Sequence, residues 1–168
     1  MTPKGANTVR FIELDDGPYR EYRKDLVRDY AADKVRAGAW SQAEAEGRAT
    51  RDVDGLLPEG PATRGHFLYS VKDDSTGADV GTVWFALRNS GVGPSVWIYD
   101  IIINENCRRK GYASRTLELV EDRARALGAK SVELHVFGHN QGARALYEKV
   151  GYKEMSITMA KPIHPEQS

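Results

Sequence analysis

Apolar residues recur along this chain in two rhythms, every second position in some stretches and every third or fourth in others, and the changes of rhythm mark out its elements. Thr8 to Leu14 alternates as a first strand and closes at Asp15-Asp16-Gly17-Pro18. Pro18 suits the first turn of a helix running to about Arg36, with Tyr22, Leu26, Tyr30 and Val35 as its apolar stripe, and Gly38 ends it. Ser41-x-x-Glu44 has the form of a capping box, which predicts a second helix from there to about Leu57, before Pro58 and Gly60. Phe67 to Lys72, Val80 to Leu87 and Val96 to Ile103 read as strands joined by short turns, an antiparallel meander.

After Gly111 the rhythm becomes helical. Ala113, Leu117, Val120, Ala124 and Leu127 fall on one helix face, and Gly128 sits where the helix should stop. Val132, Leu134 and Val136 alternate with Glu133 and His135, a strand that should run parallel to Val96–Ile103 across the helical crossover. Asn140 can cap a short helix to Lys149, with Ala143, Leu146, Tyr147 and Val150 facing inward. Tyr152 to Ala160 predicts a last strand. The order β-α-α-β-β-β-α-β-α-β is that of an α/β sheet of mixed direction. Trp40, at the turn between the first two helices, is larger than a turn requires; it either closes the helical hairpin or walls a ligand site.

The chain is organised around VWIYDIIINENCRRKGYA, Val96 to Ala113. An apolar strand with a single carboxylate, Asp100, gives way to a polar loop, then to Arg108, Arg109 and Lys110, then to Gly111 and a helix. That build offers an anion the free N–H groups and positive end of a helix, and Gly111 removes the Cβ that would keep a ligand away. A phosphate or pyrophosphate is the natural guest. Neither G-x-x-x-x-G-K-[ST] nor G-x-G-x-x-G is present, which excludes a P-loop and a dinucleotide fold of the usual kind.

The 168 residues suit one domain with one core. Lys plus Arg equals Asp plus Glu at 24 each, so no global field steers the chain to nucleic acid or an anionic membrane, and the basic cluster favours a small anion. The lack of an apolar run of about 20 residues and of a secretory core in MTPKGANT, together with the single Cys107, predicts a cytoplasmic protein without disulfides. The reading includes no metal site.

Arg108-x-x-Gly111-x-Ala113 between strand and helix resembles the acetyl-CoA signature Q/R-x-x-G-x-G/A of the GCN5-related N-acetyltransferases, the GNAT superfamily. Asn140-x-x-Ala143-x-Ala145-Leu146-Tyr147-Glu148-Lys149-x-Gly151-Tyr152 resembles that family's N-x-x-A-x-x-L-Y-x-K-x-G-F/Y segment. Leu56-Leu57-Pro58, Trp84-Phe85, Tyr99-Asp100 and the run from His135 to Asn140 are similar to a bacterial subgroup of unassigned substrate. The resemblance covers residues 8–160 and is strongest over 96–152. It implies a single GNAT domain over 1–168, with a mixed, largely antiparallel sheet whose central parallel pair splays at the acetyl-CoA site. Residues 96–152 would be the cofactor-binding core, and the helical pair 18–57 the acceptor-side wall.

It further implies that Ile101, Ile102 and Ile103 offer backbone groups to the pantetheine arm. Arg108, Arg109, Lys110, Gly111, Tyr112, Ala113 and Ser114 would hold the pyrophosphate, and Asn140 and Ala143 would contact the cofactor. Tyr147 would sit near the thioester sulfur as general acid. The residues themselves make Asp100 the leading candidate for the base that an amine acceptor requires, since burial would raise its pKa; Glu133 and His135 remain alternatives. His139 is assigned to its turn. Trp40, Trp84, Tyr99 and His135, with Trp97, are candidate acceptor contacts. The expected reaction is direct acyl transfer, most simply from acetyl-CoA to a primary amine of a small molecule. Protein lysine or N-terminal acetylation and a CoA-binding sensor without turnover are the alternatives, and a homodimer is the expected assembly. A final hairpin typical of many family members has no counterpart here, leaving that side of the acceptor site open or completed by another subunit.

Overall fold

The computed structural model describes residues 7–163, so most of the stretch read as lacking a secretory core lies outside the described residues. The elements are β1 (Val9–Glu13), α1 (Asp16–Arg36), α2 (Gln42–Leu56), β2 (His66–Asp73), β3 (Asp79–Ser90), β4 (Gly93–Ile103), α3 (Tyr112–Ala126), β5 (Val132–Leu134) and α4 (Gln141–Lys149). The strands lie side by side in chain order. β1 to β4 are antiparallel, and β5 joins β4 in parallel after the α3 crossover. The mixed sheet expected from the pattern is therefore present.

Alternation along β3 sends Val83 and Phe85 to one face and Trp84 to the other. On the first face they pack with Val96, Ile98, Leu117 and Val120 beneath α3. On the second, Trp84 packs with Leu14, Tyr19, Leu57 and Leu68 beneath α1 and α2. β3 and β4 approach so closely at Gly81 that a Cβ there would stand 2.1 Å from the Ile102 carbonyl oxygen. Only glycine fits.

Five local expectations need correcting. The capping box does not form: Ser41 makes no side-chain cap bond, and Glu44 turns to Arg48 one helical turn on, at 3.2 Å. In α1 the buried residues are Tyr19, Val27 and Ala31, because the helix faces both the sheet and α2, and the expected stripe of Tyr22, Leu26, Tyr30 and Val35 is only half-buried. The α3 face starts at Tyr112 and ends at Ala124, leaving Leu127 exposed. β5 stops at Leu134, and the last strand is absent: after Gly151 the described residues, to 163, have no regular structure, with Met155 93% and Met159 89% exposed. Apolar alternation gives strand propensity, but a strand needs a paired edge. Here Glu154 is drawn instead to Arg144 on α4.

Candidate active site

The site begins with a slip in register. Phe85 pairs with Ile98 but Trp84 pairs with Asp100, so Tyr99 is an extra residue in β4. Such a bulge bends its strand. β5 follows β4 only over Val96–Ile98. From Tyr99 to Ile103 the edge of β4 on that side is unpaired, about 16 Å of open backbone.

At the end of this edge the chain turns into α3 through two left-handed residues, Arg109 at φ 62° and Gly111 at φ 85°. Nothing lies within 4 Å of a Cβ built on Gly111. The N–H groups of Tyr112, Ala113 and Ser114 open the helix and have no backbone partner among the described residues. Arg108, Arg109 and Lys110 are exposed, and Arg108 Nε donates to the Ile103 carbonyl at 3.0 Å, tying the loop to β4. The Tyr112 hydroxyl donates to Asp73, which also accepts from the Ser75 hydroxyl and the N–H groups of Ser75 and Thr76. The Ser75 and Tyr112 hydroxyls hold the Asp73 carboxyl well below the usual carboxylate range, and the bond to Asp73 pushes Tyr112 up to about 12. The anion-facing end of α3 is thereby anchored to the β2–β3 turn.

Asp100 points to the α1 side, where the Tyr22 hydroxyl donates to its Oδ2 at 2.8 Å. Burial raises the Asp100 carboxyl to about 6; the Tyr22 bond opposes the shift, and the charges of Asp29 and Asp33 add to it. Tyr147, on α4, is pushed up to about 12 by burial first and then by the charge of Asp100, so phenol and carboxylate lie within electrostatic reach. Asn140 caps α4, its Oδ1 accepting the Ala143 N–H at 3.2 Å, which leaves its NH₂ group free. A cavity of about 350 Å³ between α1 and the sheet has Asp100 in its wall.

Other candidates lie elsewhere. Trp40 stands edge-on to Tyr30 at 5.3 Å, beneath Lys34 and Arg48, and closes the helical hairpin. Trp84 is only 2% exposed; it stacks on Tyr99 at 4.4 Å and donates from Nε1 to His66, so it supports Tyr99 without reaching the cavity. Tyr99 accepts from Arg88 at 2.7 Å, and the Arg88 guanidinium covers Trp97. His135 is exposed beyond β5 against Phe137, and Glu133 is engaged by the Ser131 hydroxyl. Neither belongs to the cavity wall. His139 does more than serve its turn: it pairs with Asp33 of α1 at 3.1 Å, tying the β5–α4 loop across to the helix. Tyr22 is the contact that sequence reasoning missed, having counted it only as part of a stripe. Its signal was the hydroxyl itself, which needs a partner once covered.

Most of the chain, residues 20–152, matches the profile of one protein family, Acetyltransferase (GNAT) family. The chain belongs to the GNAT family. The uncharacterized N-acetyltransferase YycN of Bacillus subtilis (strain 168) is 33% identical over 156 residues, 93% of this chain and 99% of YycN. The crystal structure of YycN superposes with a TM-score of 0.86, covering 94% of this chain and 100% of that one. AAC(6')-Iy, in complex with the bisubstrate analogue CoA-S-monomethyl-acetylneamine, shares the fold at a TM-score of 0.61 and 13% identity, over 94% of this chain and 99% of that one. This GNAT is an acetyltransferase that draws its acyl group from an acyl-CoA.

Proposed function

We propose that this GNAT transfers acetyl from acetyl-CoA directly to a primary amine of a small molecule, with Asp100 as base and Tyr147 as acid. The observation that carries the reading is the half-buried Asp100 carboxylate, held by Tyr22 where the unpaired edge of β4 begins, its charge acting on the Tyr147 phenol. The residues present fit the donor. Ile101 to Ile103 offer open backbone to an amide-bearing arm. Arg108, Arg109, Lys110 and the free amides of Tyr112, Ala113 and Ser114 offer charge and hydrogen bonds to a pyrophosphate, which the bare Gly111 allows to come close. The free NH₂ of Asn140, beside Ala143, faces the same groove in this reading. The bound thioester supplies an activated acyl carbon.

At pH 7 only about one lysine-type amine in a few thousand is neutral. Asp100, ionised above about 6, takes the proton from the bound ammonium, directly or through water. Against an amine of pKa about 10.4 the transfer is uphill by about 4 units, or roughly 6 kcal/mol. That fits inside the barrier of roughly 13–17 kcal/mol set by turnover at about 1–10³ per second. The N–C bond then forms as the C–S bond breaks; Tyr147 gives its hydroxyl proton to the sulfur and is reprotonated by the second nitrogen proton through water, while the first nitrogen proton leaves to solvent through Asp100. Tyr147 rests as a phenol throughout the physiological range, so it holds the proton that the departing sulfur takes. Complete transfer to a thiolate of ordinary pKa, about 8.5, would be uphill from 12. Protonation of Asp100 removes the charge that helps hold Tyr147 high, so the phenol is a stronger acid when the sulfur leaves.

Thermal unfolding with and without acetyl-CoA tests the reading on wild type and Gly111→Glu. Ligand at about 100 times its dissociation constant should stabilise the wild type by about 2.7 kcal/mol, and the introduced carboxylate should abolish that gain. A wild type that gains nothing sinks the donor assignment.

A further inference from the structure

We infer that the acceptor is a linear polyamine, presenting one ammonium to Asp100 and at least one more to the acidic wall of α1. The inference rests on the acyltransferase reading above. Along α1, Glu21, Asp25 and Asp29 all line the cavity and recur every fourth residue, a row of carboxylates spaced by about 6 Å of helix rise. Asp79 and Asp100 answer them from the sheet side, and no Lys, Arg or His lines the cavity. In a chain with 24 cations and 24 carboxylates this is a local choice of sign.

The protein's own compensation is partial. Arg28 pairs with Asp25 and Asp29 at 2.8 and 2.9 Å from outside the cavity, and Lys72 pairs with Asp79 at 3.0 Å. Glu21 and Asp100 form no ion pair among the described residues. Acidity alone would not identify an acceptor. The cavity does, because it also holds the half-buried carboxylate proposed as base, and Ile102 and Asn104 continue its wall along and just beyond the unpaired stretch of β4. An amine with a single charge would satisfy Asp100 and leave Glu21 without a cation, with Asp25 and Asp29 sharing the one charge of Arg28. The row spans about 12 Å of helix, and about 350 Å³ is at the small end of ligand sites. Both suit a thin chain of methylenes and ammonium groups better than a folded peptide.

The test compares thiol release from acetyl-CoA with butylamine, spermidine and a lysine-rich peptide, and thermal stabilisation by spermidine alone, on wild type and Glu21→Gln/Asp29→Asn. Spermidine should exceed butylamine in kcat/KM by about 10–100-fold. The double variant should lose most of that ratio, and raised salt should narrow it. Spermidine should also stabilise the wild type and not the variant. Equal kcat/KM for butylamine and spermidine, or a preference for the peptide, overturns the polyamine assignment while leaving acyl transfer standing. Stabilisation by spermidine without turnover of any amine supports the pocket and instead defeats the acid–base reading. Absence of both stabilisation and turnover overturns the pocket.

Discussion

In the meander and the helix that covers it, Val71, Val83, Phe85, Val96, Leu117 and Val120 are all fully enclosed. Across the bulge the standard changes: no described residue after Ala124 is buried, although Val132, Leu134, Leu146 and Val150 are apolar and rest against the same core. A sheet closed all the way along β4 would have buried them better, and it would have removed the open edge. This comparison separates a half that fixes the fold from a half that leaves room beside β4.

The comparison breaks most visibly through the core. Phe85→Ala should cost about 3–5 kcal/mol and Leu146→Ala on α4 only about 1–2 kcal/mol, read by urea unfolding at constant slope. An equal cost for both would show that the C-terminal half is core after all.

At the junction of the halves, Asp100→Asn should lower kcat/KM by about 10²–10⁴ while making the protein more stable at pH 7. The sign follows from linkage. Burial places the folded carboxyl at about 6 against an ordinary 3.8, so the stability this group contributes is full below 3.8 and lost as pH rises through about 6. About 2 units correspond to roughly 3 kcal/mol as an upper figure. The variant should therefore gain stability at pH 7 and little at pH 4, and the activity limb near 6 should vanish. A variant that loses activity and stability together would make Asp100 a structural residue.

How much of this was legible in the sequence depended on whether the signal was local. The meander, the parallel crossover, the basic loop and Gly111 follow from periodicity and from single residues whose chemistry is fixed. Asp100 stood out because one carboxylate interrupts an apolar strand. The bulge at Tyr99 left no mark, since it is a property of the pairing between β3 and β4 and Tyr99 is an ordinary strand residue. The last strand failed for a related reason: Met155, Ile157 and Met159 alternate correctly, but alternation cannot report that no edge accepts them. The capping box failed because Arg48 competes for Glu44. Tyr22 reaches Asp100 across 78 positions of sequence, so periodicity could assign it a face but no partner.

The environment of Asp100 can be probed from its donor side. Tyr22→Phe removes the hydrogen bond that lowers the carboxyl's pKa, so the activity limb should move to higher pH, and kcat/KM should fall more at pH 6 than at pH 8. A uniform fall at both values would assign Tyr22 to packing alone.

The smallest effect expected lies where the two halves touch, at the pair between Asp33 of α1 and His139. Both side chains are partly exposed, so the pair contributes at most about 1 kcal/mol, and Asp33→Asn should scarcely change the unfolding midpoint. Two other readouts should move. Amide exchange in residues 135–140 should quicken, because that loop loses its tie to α1. The activity limb should shift to lower pH, because the charge of Asp33 helps raise Asp100. That shift is opposite in sign to the one expected of Tyr22→Phe, so combining the two substitutions should return the limb towards its wild-type position. A double variant whose limb stays where either single variant left it would mean that the C-terminal half communicates with Asp100 by some route other than these charges and this hydrogen bond.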